Sequence, residues 1–597
     1  MNLQTLDWSL IIGFFIVSLG IGFWTARTSG KNSSEFFLSG RNMPWWLLGI
    51  SMVATTFSAD TPNLVTDIVR KNGVAGNWVW WAFLLTGMLT VFVYARLWRR
   101  SGVLTDLEFY ELRYSGKPAA FLRGFRAIYL GVFFNVMIMA TVSLAAIKIG
   151  GVLLGLSPVQ TVLIASVVTV IYSVAGGLRG VILTDFFQFI MAMIGTVWAA
   201  IVVVDLPEIG SLSNLLTHEN VSGKLSLLPD FSNMDLLVPL FIIPIAVQWW
   251  SVWYPGAEPG GGGYVAQRML AAKNEENAMG ATLLFNIAHY ALRPWPWIII
   301  ALCSLIIFPD MASIQAKFPH IDPNVVNDDL AYPAMLSYLP SGLLGLVIAS
   351  LIAAYMSTIS THLNWGSSYV VNDWYKRFYN PEATDREQVM VGRISTVVLM
   401  VLSALLALLL SNALQAFNIL LQIGAGTGLI FILRWFWWRI NAYSEIAAMI
   451  ISFVIALYFE FIHPEIFGGE PLADHVKLIA GITLTTIGWL VVTFATSPTE
   501  RGTLVRFYKL IRPASGGWQP VIEEAQQNGE MTAQEVNPGK LPLQILGMLV
   551  GCFTVYAALF GTGFWLYGQT TGAAIAGLIA VGGGLSLFRI FGQLKDA

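Results

Sequence analysis

One predicted membrane helix carries four neutral, oxygen-bearing side chains on a single face. Ser357, Ser360, Thr361 and Asn364 recur at positions i, i+3, i+4 and i+7, and a helix with 3.6 residues per turn brings such positions together. Neutral oxygens are suitable ligands for a hard cation such as Na+, so the pattern favours a cation site. Ser and Thr also pack between membrane helices and donate to the carbonyl of the preceding turn, so a purely structural role stays open.

A carboxylate, Asp185, stands at the entry of a long apolar run in the segment AGGLRGVILTDFFQFIMAM. An ionised carboxylate inside a membrane is costly and is functional by default. Asp185 is therefore our candidate for the negative charge beside a cation. The alternatives are a helix cap or an ion pair with Arg179.

A second polar face is predicted between residues 286 and 293. Asn286, His289, Tyr290 and Arg293 again follow the spacing i, i+3, i+4 and i+7. An intramembrane arginine needs a partner. Paired with Glu258 or Asp60, it would form a structural salt bridge and leave a neutral, polyhydroxylated solute as the better fit. Left free, it would suit a solute with a carboxylate, which guanidinium binds in bidentate fashion.

Two predicted membrane spans contain residues that break helices. The span at 44–69 has Asp60, Thr61 and Pro62 near its middle, and the span at 236–267 has Pro255, Glu258, Pro259 and then the run Gly260 to Gly263. A helix in lipid is interrupted only where the freed backbone groups find other partners, so both breaks indicate a binding site, although a kinked packing helix is the alternative. They fall on the first and sixth of ten helices, as two five-helix repeats of inverted topology require.

Polar and aromatic side chains around these breaks are the candidates for solute binding. Aromatic faces near a break suit stacking on a sugar ring. The full set comprises Asp60, Thr61, Gln248, Trp253, Tyr254, Glu258, Asn286, His289, Arg293 and Gln422.

The composition requires a membrane to hold these elements. Of 597 residues, 56% are apolar and 11% are charged, against about 25% charged in a soluble domain. About fifteen segments are long enough to cross a bilayer of about 30 Å. They lie near 7–26, 44–69, 73–95, 125–150, 158–176, 181–204, 236–267, 277–308, 334–375, 389–411, 413–438, 442–463, 475–497, 541–567 and 571–591. No basic residue precedes the first of them, in residues 1–6, and no small-residue cleavage site follows it, so we expect it to stay as a helix.

Basic residues predict the orientation, because short cytoplasmic loops collect Lys and Arg. With the N-terminus outside and the C-terminus inside, 25 of the 33 basic residues face the cytoplasm, six face outward, and Arg293 and Arg434 lie within apolar segments. The long polar stretch at 498–540 is then a cytoplasmic linker.

Several classes of protein are excluded or disfavoured by the same composition. A net charge of −2 gives no electrostatic reason to expect nucleic-acid binding. The two cysteines, Cys303 and Cys552, are far apart, which excludes a disulfide framework. Six scattered histidines do not form the acid–base or metal cluster that an enzyme needs, so we predict no enzymatic activity.

Four segments together resemble the sodium-solute symporter family. They are RNMPWWLLGISMVATTFSAD at 41–60, AGGLRGVILTDFFQ at 175–188, YVAQRMLAAKNEENA at 264–278, and the run from MSTISTHLN to NDWYK at 356–376. The resemblance implies an all-α integral membrane protein with a ten-helix, five-plus-five inverted-repeat core of the leucine-transporter type. The expected parts are an extra N-terminal helix at 1–40, repeats at 41–204 and 236–440 around an extracellular loop at 205–235, and four further helices at 441–597.

The resemblance also implies a sodium site between the first and eighth core helices. Its ligands would be the carbonyls of Ala54, Phe57 and Ala354 and the hydroxyls of Ser357 and Thr358. Some relatives have a second sodium site, which would here use Asp185, Ser357, Ser360 and Thr361. The sequence departs from the family at PGAEPGGGG, residues 255–263, where solute is usually held.

The function implied is sodium-coupled symport, with sodium, a small-molecule solute and the lipid bilayer as partners. Import of a sugar or related polyhydroxylated compound is favoured, and an organic acid or amino acid is the other choice. A solute-binding membrane sensor or a channel without coupled transport is the alternative function.

Overall fold

Helices account for almost all of the regular structure of this protein. A computed structural model describes residues 3–252, 258–319, 321, 323, 326–409, 424, 426–466 and 472–595. In these ranges the chain has no β-strand, and the single β-type pairing is an isolated parallel bridge between Met43 and Ala272. Eleven helices in the same ranges are long and apolar enough to cross a membrane.

The first half of the chain contains seven principal helices. They are α1 (Thr5–Ser29), α2 (Ser33–Leu38), α3 (Trp45–Thr56), α4 (Thr61–Asn72), α5 (Val74–Ser101), α6 (Gly116–Leu154) and α7 (Pro158–Val204). Short helices at Phe109–Arg113, Leu212–Thr217 and Glu219–Ser222 lie in the connecting segments.

The second half continues with helices of the same kind. They are α8 (Met234–Trp250), α9 (Gly263–Ala271), α10 (Glu275–Ile307), α11 (Leu343–Tyr379), α12 (Asp385–Leu409), α13 (Ala442–Ile466), α14 (Asp474–Ala495), α15 (Arg501–Ile511), α16 (Gln519–Gln527), α17 (Leu541–Leu566) and α18 (Thr570–Lys595). Short helices also occur at Met311–Lys317, Ala331–Leu336 and Gly428–Leu433.

The first predicted break is present, between α3 and α4. Helix α3 ends at Thr56, and the N–H of Phe57 still donates to the carbonyls of Val53 and Ala54. Residues 57–60 are not helical, and α4 begins at Thr61 with Pro62 in its first turn. Proline is accommodated there because the first-turn N–H groups have no partner within the helix.

The second predicted break separates α8 from α9. Gly260 and Gly261 both have φ of +88°, a conformation that other residues adopt rarely. A Cβ at Gly260 would lie 3.0 Å from the Tyr94 ring, and one at Gly261 would lie 2.6 Å from Met269 Cε. The glycine run therefore lets the backbone turn close against α5 and α9.

A single glycine divides α7 into the two spans predicted from the sequence. Gly177 has φ of 54° and ψ of −161°, so the helix axis changes direction there. A straight helix of 47 residues would be about 70 Å long, which is more than twice the thickness of the hydrocarbon layer. The kink thus separates the predicted spans 158–176 and 181–204.

The number of spans agrees with the prediction only in part. Both broken spans consist of pieces shorter than a full crossing. The two predicted spans on either side of Gly177 are joined across the kink in α7, and the predicted span at 413–438 falls largely outside the described residues. The span predicted at 334–375 begins later, at Leu343, because Pro340 and Gly342, whose φ is +87°, separate it from the short helix before it.

Helix α1 is joined to the start of α11 by a buried carboxylate. Asp7 Oδ1 accepts hydrogen bonds from the N–H groups of Gly342 (2.7 Å) and Gly345 (2.8 Å), and Oδ2 accepts one from the Ser341 hydroxyl (3.0 Å). The first N–H groups of a helix have no intrahelical partner, so this carboxylate caps α11 from a different helix.

The predicted linker at 498–540 is folded. Phe507 and Tyr508 of α15 and the nearby Trp518 are fully buried. The Trp518 indole N–H donates to the carbonyl of Trp435 at 3.0 Å, and Arg100 donates to the carbonyl of Ile511 at 3.0 Å. This segment therefore packs on the end of α5 rather than forming a loose connection.

Main-chain atoms join the two broken helices. The N–H of Met43, just before α3, donates to the carbonyl of Ala271 at 3.2 Å, and the N–H of Lys273 donates to the carbonyl of Met43 at 3.0 Å. The start of α3 and the end of α9 are thereby held side by side.

Candidate functional site

The break after α3 lies directly against the predicted cation face of α11. The Thr358 hydroxyl donates to the carbonyl of Thr55 at 2.8 Å and to that of Ala354 at 3.1 Å. Ala54, Phe57, Ala354, Ser357 and Thr358 are all buried. Thr358 thus joins the last turn of α3 to α11 beside the residues that the resemblance implies for the first sodium site, and carbonyl and hydroxyl oxygens are of the type that a hard cation binds.

The four-residue oxygen face of α11 is buried along its whole length. Ser360 donates to the carbonyl of Ser357 at 3.1 Å, which is the local bond expected of a packing residue. Thr361 instead points across to α3, where its hydroxyl lies 2.9 Å from that of Thr55. Asn364 accepts from Gln267 at 2.8 Å. The face is therefore used for contacts between helices as well as within α11.

Asp185 lies at the centre of a buried polar cluster. It accepts hydrogen bonds from Ser357 at 2.6 Å and from Ser51 at 2.5 Å. Its cationic neighbour is Arg268, with Nη2 3.8 Å from Oδ2. The alternative pairing with Arg179 is not observed among the described residues.

Arg268 is the functional candidate that sequence reasoning missed. The sequence analysis counted it among cytoplasmic loop residues, but its side chain on α9 is fully buried. It donates to Thr361 at 2.7 Å, to Ser51 at 3.3 Å and to Gln267 at 2.9 Å. Its only signal in the sequence is a position one turn before the end of an apolar segment.

A small cavity of about 60 Å³ opens between the two breaks. Three of the predicted solute residues, Glu258, Asn286 and His289, line it. Thr56, Thr86 and Tyr264 also line it, although the sequence did not single them out. The cavity therefore has hydroxyl, amide and carboxylate groups around an aromatic rim, a lining that suits a small polar solute.

Arg293 does not form either of the ion pairs considered from the sequence. Its Nη2 lies 2.6 Å from His289 Nδ1, which must accept because a guanidinium only donates. The guanidinium carbon of Arg293, Cζ, lies 5.3 Å from the centroid of the Trp297 ring. Arg293 Nη1 and Asn286 Oδ1 are buried without a hydrogen-bond partner, so this helix face retains bonding capacity for a ligand.

Glu258 pairs with Arg126 of α6 instead. Both side chains are at most 5% exposed. The alternative in which Glu258 pairs with Arg293 is therefore not observed, because Arg126 on α6 pairs with Glu258. The second oxygen of Glu258 has no hydrogen-bond partner.

Among the described residues, Gln248, Thr61 and Asp60 are predicted solute residues that do not line this cavity. Gln248 donates to the carbonyl of Val79 at 2.8 Å, and Thr61 donates to that of Thr56 at 3.4 Å. Asp60 lies at the break with Oδ1 unpartnered. Trp253, Tyr254 and Gln422 lie outside the described residues.

Two interrupted helices that meet at a buried site within a helical membrane protein define a secondary transporter. The model of the sodium:solute symporter family matches residues 36–452, which is most of the chain. The chain belongs to this family, and it is a multi-pass membrane protein that couples sodium to the symport of a small polar solute.

Characterised relatives cover most of the chain at low identity. A sodium/glucose cotransporter of Vibrio parahaemolyticus is 25% identical over 481 residues, covering 77% of this chain and 86% of the relative. The sodium/myo-inositol cotransporter 2 of Sus scrofa is 26% identical over 505 residues, covering 78% and 71%.

A solved structure confirms the fold. A Na+-coupled sialic acid symporter, in a substrate-bound outward-open state, aligns with a TM-score of 0.66 and 20% identity over 84% of this chain and all of the symporter. The prediction of an all-helical membrane protein with a core of the leucine-transporter type is confirmed. The repeat boundaries and the individual ligand residues stay predictions.

Proposed function

We propose that this protein imports a small polyhydroxylated solute, such as a sugar or a cyclitol, by alternating access. The hydrogen bond between Thr358 and the carbonyl of Thr55 carries the proposal, because it joins the last turn of α3, just before the break, to the oxygen face of α11. The solute named for the bacterial relative is glucose and that for the porcine relative is myo-inositol, which supports this solute class. Family members are transporters, so we propose transport without enzymatic chemistry.

Sodium supplies the driving force in this proposal. An ion between α3 and α11 would favour the conformation in which the break after α3 can bind solute. Its ligands would come from Ala54, Phe57, Ala354, Ser357 and Thr358. Solute binding at Asn286, His289 and the neighbouring side chains would then permit closure. One charge moved through 100 mV contributes about 2.3 kcal/mol, which corresponds to roughly 50-fold accumulation.

A carboxylate-bearing solute is the second candidate. The observation that favours it is Arg293, which is 1% exposed and has an unpartnered Nη1. A carboxylate would satisfy this group with a charge-assisted bond. A sugar acid would combine that contact with the hydroxyl-binding lining of the cavity.

The solute class is tested by thermal unfolding of the purified protein with neutral sugars, cyclitols, sugar acids and amino acids, each in sodium and in potassium. A solute that binds only the folded protein raises the unfolding temperature by mass action. We expect neutral polyols to stabilise the protein in sodium alone. The second candidate would be selected if sugar acids stabilise the wild type but not the Arg293→Gln variant, while the effect of neutral sugars is the same in both proteins.

Uptake into proteoliposomes then tests transport itself. Accumulation of the stabilising solute should require an inward sodium gradient and stop when the gradient is collapsed. Binding without uptake would identify a sensor. Uptake that stops when the solute concentrations inside and outside are equal would identify a channel.

A further inference from the structure

Arg268 occupies the space between two of the residues that the resemblance implies for a second sodium ion. Its Nη2 is 2.7 Å from the Thr361 hydroxyl and 3.8 Å from Asp185 Oδ2. All three side chains are 0% exposed. The guanidinium group thus lies against two residues whose oxygen atoms a second sodium ion would need as ligands.

Both carboxylate oxygens of Asp185 accept a hydrogen bond from a buried serine. Ser51 and Ser357 each donate to one carboxylate oxygen, and Ser51 also lies 3.3 Å from Arg268 Nε. Thr361 accepts from Arg268 and contacts the Thr55 hydroxyl. A second cation here would face a like charge in a buried site where Asp185 is the one carboxylate that the described part of the chain places beside Arg268, which is unfavourable.

We propose that Arg268 is a built-in cation that replaces a second sodium ion, so that this protein binds one sodium per molecule. The inference rests on the proposed sodium-coupled function and determines its stoichiometry. Arg268 lies on α9, the half-helix after the second break, whereas Asp185 lies on α7. The guanidinium thereby links α9, which lies beside the solute cavity, to α7.

Equilibrium binding of ²²Na+ to the purified protein tests this stoichiometry without a known solute. We expect one sodium per wild-type molecule. In Arg268→Gln the carboxylate of Asp185 loses its counter-ion, and we expect two. Arg268→Lys keeps the charge and should bind one, and the double variant Asp185→Asn/Arg268→Gln removes the attraction and should also bind one.

Two outcomes would overturn the inference alone. They are two sodium ions on the wild-type protein, or a single ion on a folded Arg268→Gln variant. The wild-type measurement decides the matter if Arg268→Gln does not fold. A wild-type protein that binds no sodium would instead remove the proposed function, and the two failures are thus distinguishable.

Discussion

At the scale of single residues, Thr358 has the most direct contact with both halves of the predicted sodium site. Its hydroxyl bonds to one carbonyl on α3 and to one on its own helix. Phe57, next to the break, packs its ring 5.0 Å from that of Trp297, measured between ring centroids.

We expect Thr358→Ala to raise the sodium concentration for half-maximal uptake about tenfold, equivalent to about 1.4 kcal/mol. The reason is the loss of one of five oxygen ligands in a buried site. Sodium titration of uptake in proteoliposomes measures this. Thr358→Ser is the matched control, since it keeps the hydroxyl and should stay near wild type. An Ala variant with wild-type sodium dependence would show that this hydroxyl does not bind the ion.

Residue spacing predicted which helix faces are polar, but it could not assign partners. The oxygen face of α11 and the polar face at 286–293 are both visible in the sequence. The pairings of Arg126 with Glu258 and of Arg268 with Asp185 join residues 132 and 83 positions apart. Only the packing of separate helices decides such contacts, and a charge near the end of an apolar segment resembles an ordinary loop charge.

At the scale of helices, the breaks are the features that local sequence predicts best. Proline, glycine and a run of polar residues disfavour a continuous helix wherever they occur. The kink at Gly177 was also consistent with two predicted spans. The folded segment at 498–540 was missed because its apolar residues, such as Phe507 and Ile511, are spaced for a short amphipathic helix among many polar residues.

The cap that Asp7 places on α11 joins the first helix to the helix that carries the predicted cation face. Asp7→Ala removes the acceptor for two N–H groups, so we expect a loss of about 0.5–2 kcal/mol of stability, the usual range for a helix cap. The unfolding temperature of the detergent-purified protein reports this loss.

Asp7→Asn retains one side-chain oxygen and should fall between the wild type and Asp7→Ala. A second variant, Gly345→Ala, would place a Cβ 2.4 Å from Asp7 Cα and should separate α1 from α11. Equal unfolding temperatures for all four proteins would mean that the cap contributes nothing.

At the scale of the whole molecule, hydropathy predicted a membrane protein and the order of its helices. It counted spans less well, because a broken helix is two short pieces in space and one apolar segment in sequence. Orientation rests on the distribution of basic residues alone and stays a prediction.

Cysteine labelling tests this orientation. The native Cys303 and Cys552 are buried, so background labelling should be low. With the N-terminus outside, the predicted spans place the segment between 277–308 and 334–375 outside the cell. A membrane-impermeant maleimide added to intact cells should then label Ala316→Cys in this segment but not Gln526→Cys on α16. The opposite pattern would reverse the topology, and both positions should label after permeabilisation.

The join between Met43 and the end of α9 has a consequence for mutational genetics. Both of its hydrogen bonds run from one main chain to another, so exchanging the side chain at 43 or 273 leaves each donor in place. Proline alone removes a backbone N–H. An alanine scan would therefore not detect this contact. Saturation mutagenesis would detect it, because proline would not be tolerated at positions 43 and 273.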